Sequence, residues 1–344
     1  MAPIQVAIAA VELIAAENRI RNALAPILLR RELVRLGEAS DGELLTRVRE
    51  GGLRRLAHGA YIDASLWESM FPEQRLLAVT LAHAKRYRER NWVFARESAA
   101  ALWGLPLYGF TGLRVHVATR EGSRGHSTRP VARYLTELPE PDIVDAAGVR
   151  FTSLERTLLD LAHSATPEVA IGALDAGIRR MFQMERGESA SAVAEWRERR
   201  LAESKRSGRP GVRAARQLLQ IADGRAESVL ESVSKLQLSR LQVPYDVQVP
   251  VRAAGGTTYW MDFELLGQDA FGEVDGTAKY FDRSTHGAGT PEERLLAEKR
   301  REDEVRGVTG KRFVRWGAQH IHTARRLGER LSSFGIAVSG LEHC

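Results

Sequence analysis

The stretch FGEVDGTAKYF, residues 271–281, places Glu273 and Asp275 one residue apart in an apolar run that reads as a strand. Residues two apart on a strand share a face, so both carboxylates point the same way. Asp262 stands in the preceding strand-like run, TTYWMDFELL (257–266), and is placed to reach the same spot. Glu227 and Glu231 lie one turn apart on the helical segment RAESVLESVSKLQLSRLQ, so Glu231, with Glu227 beside it, is expected over the sheet. Acids that converge repel one another unless a cation neutralises them. A set of Glu231, Asp262, Glu273 and Asp275 offers only oxygen ligands, which suits Mg²⁺ or Mn²⁺ rather than zinc. Such an ion binds a phosphate oxygen and lowers the pKa of an attacking water. A lysine nearby would stabilise charge developing on phosphorus, and Lys279 and Lys299 are the two candidates. The same residues also fit a plain sheet edge with solvated acids.

The elements that must position these groups fill residues 225–344. After the helix come PYDVQVPV (244–251), TTYWMDFELL, and a third strand beginning in DAFGEVDGTAKYF. PEERLLAEKRREDEVRG reads as a helix with Pro291 near its start, where proline is tolerated. KRFVRW (311–316) is a fourth strand, and AQHIHTARRLGERLSSF holds a last helix. The order is helix, three strands, helix, strand, helix.

The other end of the chain carries a different signal. Residues 1–25 read as a helix, and ILLRRELVRLG (27–37) as a second one stopped by Gly37. SDGELLTRVREGG (40–52) is a third, with Ser40 or Asp41 as its cap. LRRLAHGAYID (53–63) reads as a hairpin turning at Ala57–Gly59. Helix, turn, helix and basic hairpin is the plan of a winged helix-turn-helix. Thr46, Arg47 and Arg49 would then face DNA, with Arg54 and Arg55 on the wing. A small helical cap with solvated arginines is the plainer alternative.

Residues 64–182 read as a mixed α/β unit. WVFA (92–95) and LRVHVATR (113–120) are strands, and GVRFTSLERTLLDLAHSA is a strand entering a helix capped by Thr152 or Ser153. His83, His116 and His126 share no ligand spacing and read as structural, and Arg156 and Asp160 form an i,i+4 pair. Residues 183–224 are polar and basic, broken at SGRPG (207–211), and read as a helical linker able to track phosphate. The expected architecture is a mixed α/β, multi-domain chain: 1–63, 64–182, the linker 183–224, and 225–344.

Bulk composition agrees with these parts. The 344 residues carry 50 Lys+Arg against 44 Asp+Glu, a formal net charge of +6 that favours nucleic acid as a partner. The one cysteine, Cys344, rules out a disulfide framework or a Cys-based zinc site within one chain. The apolar start contains Glu12 and Glu17 and lacks a basic leader, and no apolar run approaches the roughly 20 residues of a membrane span. A cytoplasmic protein with no membrane partner is expected.

MDFELL, GEVDGTAKY, AEKRREDEVRG and KRFVRW, in this order over about 100 residues, resemble the PD-(D/E)XK nuclease superfamily, and more closely the domains related to very-short-patch-repair endonucleases. The resemblance implies a restriction-endonuclease-like domain that hydrolyses DNA with Mg²⁺ or Mn²⁺. This sequence departs from the superfamily motif by placing Asp275 where a lysine usually stands two residues after the glutamate, so that role would pass to Lys279 or Lys299. LLRRELVRLG, LRRLAHGAYID, ARESAAALWGLP, VRFTSLERTLLDLA and DAGIRR, within 27–182, are similar to AbiEi-type antitoxins. That likeness implies a winged helix on operator DNA and a second domain that neutralises a nucleotidyltransferase toxin. Two functions are therefore expected: a metal-dependent DNA endonuclease, or a DNA-binding antitoxin and autorepressor of a toxin–antitoxin or phage-defence system that retains a nuclease fold as scaffold.

Overall fold

The computed structural model describes residues 3–119, 127–186, 191–206, 210–275 and 290–340. The chain is mixed α/β and divides into two compact units, Met1–Ala173 with Ser207–Ala215, and Leu174–Arg206 with Arg216–Cys344. No described helix is long and apolar enough to cross a membrane.

The first unit opens with α1 (Pro3–Leu24), β1 (Leu28–Leu29), α2 (Arg30–Arg35), α3 (Asp41–Arg49), β2 (Leu53–Ala57) and β3 (Ala60–Asp63). The sequence pattern runs a helix from residue 27. In the structure Leu28 and Leu29 pair with Tyr61 and Ala60, so the helix begins at Arg30. The hairpin's free edge captures those two residues, and tertiary pairing overrides their helical spacing. Ser40 caps α3 through a capping box: its hydroxyl accepts from the Glu43 amide at 3.3 Å, and the Glu43 carboxylate accepts from the Ser40 amide at 2.6 Å. Leu33, Ala39, Leu44, Leu53 and Tyr61 form the core that clamps α2, α3 and the hairpin.

The unit continues through α4 (Ala64–Ser69), α5 (Pro72–Arg86), β4 (Val93–Phe94), α6 (Arg96–Trp103), β5 (Val115–Thr119), β6 (Val131–Leu135), β7 (Ile143–Ala146), β8 (Val149–Thr152) and α7 (Leu154–Ser164). Strands β4 to β8 make one sheet in the order β6-β5-β4-β8-β7. Ser153 caps α7 by accepting from the Arg156 amide. Arg156 pairs with Asp160, as its i,i+4 spacing suggests, and also with Asp142 at 2.9 Å. His116 lies 2.8 Å from Glu97, and His83 Nδ1 is 2.8 Å from the Val79 carbonyl, so both serve packing. His126 lies outside the described residues.

Helix α8 (Pro167–Phe182) contains the boundary between the units, as does α10 (Val212–Ile221), while α9 (Ser191–Arg206) falls in the second unit. There follow α11 (Val229–Arg240), β9 (Tyr245–Arg252), β10 (Thr258–Leu265), β11 (Ala270–Asp275), α12 (Pro291–Thr309), β12 (Arg312–Gly317), α13 (Ala318–Ile321) and α14 (Ala324–Ser333). The last stretch is two helices because Thr323 accepts from the Arg326 amide and caps a fresh start. The sheet order is β12-β11-β10-β9, with only β11 and β12 parallel.

Two packing details fix this sheet. Trp316 lies across Gly272, where a Cβ would sit 2.2 Å from the indole, so only glycine fits between Phe271 and Glu273. The Trp316 indole N–H donates to Ser234 on α11 at 2.9 Å. On the side of α12, Val305 packs in a cluster with Val251, Met261 and Phe271.

Candidate functional site

The acids come together where β10 and β11 part. Their ladder runs from Leu265↔Ala270 to Phe263↔Gly272 and stops there. The next residues in register are Asp262 and Glu273. Beyond the last pair the Val274 amide donates to the Asp262 carboxylate at 2.8 Å, which replaces the missing ladder bond. Glu273 is 7% exposed and accepts from Arg301 at 2.6 Å. Glu231 lies in the first turn of α11, 6% exposed, where the helix dipole favours negative charge. One of its oxygens accepts from the Glu227 amide at 2.8 Å and from the Gln248 side chain at 2.9 Å.

The electrostatics record this convergence. Burial, then repulsion from Glu273, pushes Asp262 up to about 7. Burial, then repulsion from Asp262, pushes Glu231 up to about 7. Burial also raises Glu273, with Arg301 opposing it. Gln248, inside β9, holds φ +50°, a strained left-handed conformation for a non-glycine residue. That backbone turns its amide toward Glu231 and leaves its buried Oε1 with no partner among the described residues. Buried acids with raised pKa values beside an orphaned carbonyl oxygen fit a hard cation in donor chemistry. Among the described residues, however, no three His, Cys, Asp or Glu side chains form a group ready to hold a metal ion.

The remaining expected residues are placed elsewhere. Asp275 is exposed and faces Arg315 at 3.4 Å, and Arg315 is itself held by Glu298 and Glu302. Lys299 is exposed on α12. It is six residues from Val305, about 120° off the face that meets the sheet. Lys279 lies outside the described residues. Glu227 forms a two-pronged ion pair with Arg186, whose guanidinium also feels the charges of Asp262 and Glu231.

In the first unit, Thr46, Arg47 and Arg49 are exposed on α3, and Arg54 and Arg55 are exposed on β2. Arg54 lies over the Trp67 ring at 5.6 Å, and Arg55 reaches His58 at 3.0 Å across the hairpin turn. Among the described residues, neither guanidinium is paired with a carboxylate.

Four residues of the second unit escape the sequence pattern. Arg301 is one, although its i,i+4 relation to the buried Val305 marks it as facing the sheet. Gln248 and Arg186 carry no local signal. Lys235 is fully buried, with Asp175 at 2.8 Å and Asp223 at 2.9 Å.

No family model matches the chain. A stretch of 223 residues, 64% of the chain, is 31% identical to two uncharacterized proteins of Mycobacterium tuberculosis, MT2308 of strain CDC 1551 / Oshkosh and Rv2248 of strain ATCC 25618 / H37Rv, and covers 73% of each.

Proposed function

The chain belongs to the family of these mycobacterial proteins, and from its own residues we propose a DNA-binding protein whose second unit is a metal-dependent endonuclease of the PD-(D/E)XK type. The observation that carries this reading is Asp262 standing between Glu273, which repels it, and Glu231, which it repels, with Asp262 and Glu231 pushed up to about 7. Groups so destabilised as anions are poised for a cation. Glu231, Asp262 and Glu273 would hold Mg²⁺ or Mn²⁺, which supplies Lewis-acid stabilisation of phosphate and a more acidic water. Gln248 and the Glu227 amide orient Glu231, and the Val274 amide orients Asp262. Arg301, on the face of α12 that meets the sheet, supplies the positive charge that the superfamily places on a lysine. The exposed arginines of α3 and the wing supply the sequence-independent hold on duplex DNA.

The experiment is a divalent-metal titration read two ways: melting temperature, and cleavage of linear, mismatched and single-stranded DNA. Mg²⁺ or Mn²⁺ should raise the melting temperature, since a ligand bound only by the folded state stabilises it. Asp262→Asn or Glu273→Gln should remove both the shift and the cleavage while duplex binding survives. Duplex binding itself should weaken with salt, and Arg54→Ala with Arg55→Ala should flatten the log–log slope by about 0.9 for each phosphate no longer neutralised.

A second reading draws on Arg301 and Asp275. The protein already provides Glu273 with a cation, and an acid stands at the lysine position. On that reading the chain is an AbiEi-like antitoxin and autorepressor that binds operator DNA, neutralises a nucleotidyltransferase toxin, and keeps the nuclease fold as scaffold. Neither a metal-induced shift nor cleavage in the wild type would select it.

A further inference from the structure

The first unit carries a shallow, solvent-open cleft that belongs to neither of the sites above. Tyr87, Arg88, Asn91, Trp92, Gly148 and Arg150 line it. Its shape comes from the turn that precedes β4. After the 3-10 turn Arg88–Arg90, Asn91 takes φ +49° and swings the chain so that Trp92 lies beside Tyr87, with ring centroids 5.4 Å apart. Trp92 is anchored edge-on against buried Phe94 at 6.3 Å. Both Tyr87 and Trp92 stay half-exposed.

Guanidinium groups cluster around these rings. The Arg90 guanidinium lies 5.0 Å from the Tyr87 centroid and 5.5 Å from that of Trp92. Arg133 lies 5.6 Å from Trp92, and Arg86 lies 5.2 Å from Tyr87. Arg150 faces Glu140 at 3.9 Å, but among the described residues no carboxylate is within ion-pair range of Arg88 or Arg90. Aromatic faces beside uncompensated guanidinium groups match a ligand that has both a π face and a negative charge. Duplex DNA hides its π faces in the stack, and an apolar peptide leaves the arginines unanswered. We propose that this cleft takes an unpaired nucleobase of single-stranded nucleic acid, its ring against the Tyr87–Trp92 pair and its phosphate on Arg88 and Arg90.

The test uses the full chain and an oligodeoxythymidylate about 15 nucleotides long, followed by fluorescence anisotropy. Trp92→Ala should weaken binding about tenfold or more, as removal of one stacking partner does. Trp92→Phe, which keeps a π face, should stay within about threefold of wild type. Arg88→Ala with Arg90→Ala should lower the salt slope by about 0.7 per phosphate contact. Duplex binding should be unchanged in all of them. Wild-type affinity in the Trp92→Ala protein, equal weakening in the Phe and Ala variants, or a parallel fall in duplex binding would each overturn the proposal. Thymidine monophosphate serves as the second probe. Binding of the oligomer alone places the base on a strand, and equal binding of both assigns the cleft to a free nucleotide; either upholds the stacking site.

Discussion

The second unit buries charge in two places and treats it in opposite ways. In one, Lys235 sits between Asp175 and Asp223, and Arg225 carries Asp223 onward to Asp246. In the other, Arg301 pairs with Glu273 and Arg186 with Glu227, while Glu231 and Asp262 have no ion-pair partner among the described residues. Burial works against Asp223, yet Lys235 and Arg225 hold it down to about 2. Burial works against Lys235 too, yet its two acids hold it charged; fully buried Asp175 is itself raised, by burial and by Asp223, with Lys235 opposing. At the second place burial and mutual repulsion win, and Asp262 and Glu231 rise to about 7. A buried charge network that closes on itself is structure. One left open at a strand parting, with a strained Gln248 beside it, is where a ligand's charge can offset the repulsion.

The sharpest way to break this contrast is to open the closed network. Lys235→Met should leave Asp175 buried without its cation and Asp223 with Arg225 alone. The cost expected for such a change is about 3–5 kcal/mol, read as a lower midpoint in urea unfolding. If Lys235→Met were as stable as the wild type, the first network would be no more structural than the second. By contrast, Arg301→Met removes the cation from a place already tolerant of protonated acids. Its effect on stability near neutral pH should be clearly smaller, and smaller still as pH falls, because burial raises Glu273.

Acidity separates Asp223 from Glu231 and Asp262 by sign. For Asp223 the folded pKa lies below the unfolded value near 3.8, so its contribution is present above about 4 and is lost as pH falls toward 2. For Glu231 and Asp262 the folded values lie above the unfolded 4.5 and 3.8, so their contribution is present below about 4 and is lost as pH rises through 7. Without divalent metal the protein should therefore lose stability between pH 5 and pH 8, on the order of 2–4 kcal/mol from the coupled pair. Asp262→Asn should flatten that window, since an amide oxygen can still accept from Val274. A flat profile in the wild type would place these carboxyls in water.

How far each place is legible from sequence follows from how local its causes are. Strand alternation is enough to set Glu273 and Asp275 on one face of a strand, but not to tell that Asp275 ends exposed against Arg315; the caps at Ser40 and Ser153 are legible because the bond spans three residues. The winged-helix order is legible for the same reason, except at Leu28 and Leu29, whose structure is decided by a partner more than thirty residues later. Lys235 in ESVSK reads as a solvated lysine, because Asp175, which buries it, lies sixty residues earlier (235 − 175). Strands β6 and β7 are only five and four residues long, too short for alternation to mark them, although Pro and Gly residues flank both. Asp262 and Glu273 could be paired from pattern, but the stop of their ladder at Phe263↔Gly272 could not.

The smallest expected effect tests whether burial, rather than pairing as such, sets these magnitudes. Asp275 and Arg315 also form an acid–base contact on β11 and β12, at 3.4 Å, but the Asp275 side chain is 54% exposed. Arg315 keeps Glu298 and Glu302 whether or not Asp275 is present. Exposed pairs contribute about 0–1 kcal/mol because water solvates both ions nearly as well as they solvate each other. Asp275→Ala should therefore shift the urea midpoint hardly at all, by less than about 0.5 kcal/mol in stability, and added salt should erase even that. The same substitution asks a functional question at no structural cost. If Asp275 helps hold the metal, its removal should weaken the Mg²⁺-induced rise in melting temperature. If the shift is as large as in the wild type, metal holding belongs to Glu231, Asp262 and Glu273 without it. A fall in stability comparable to that of Lys235→Met would instead show that β11 depends on this exposed pair, and the ordering by burial would fail.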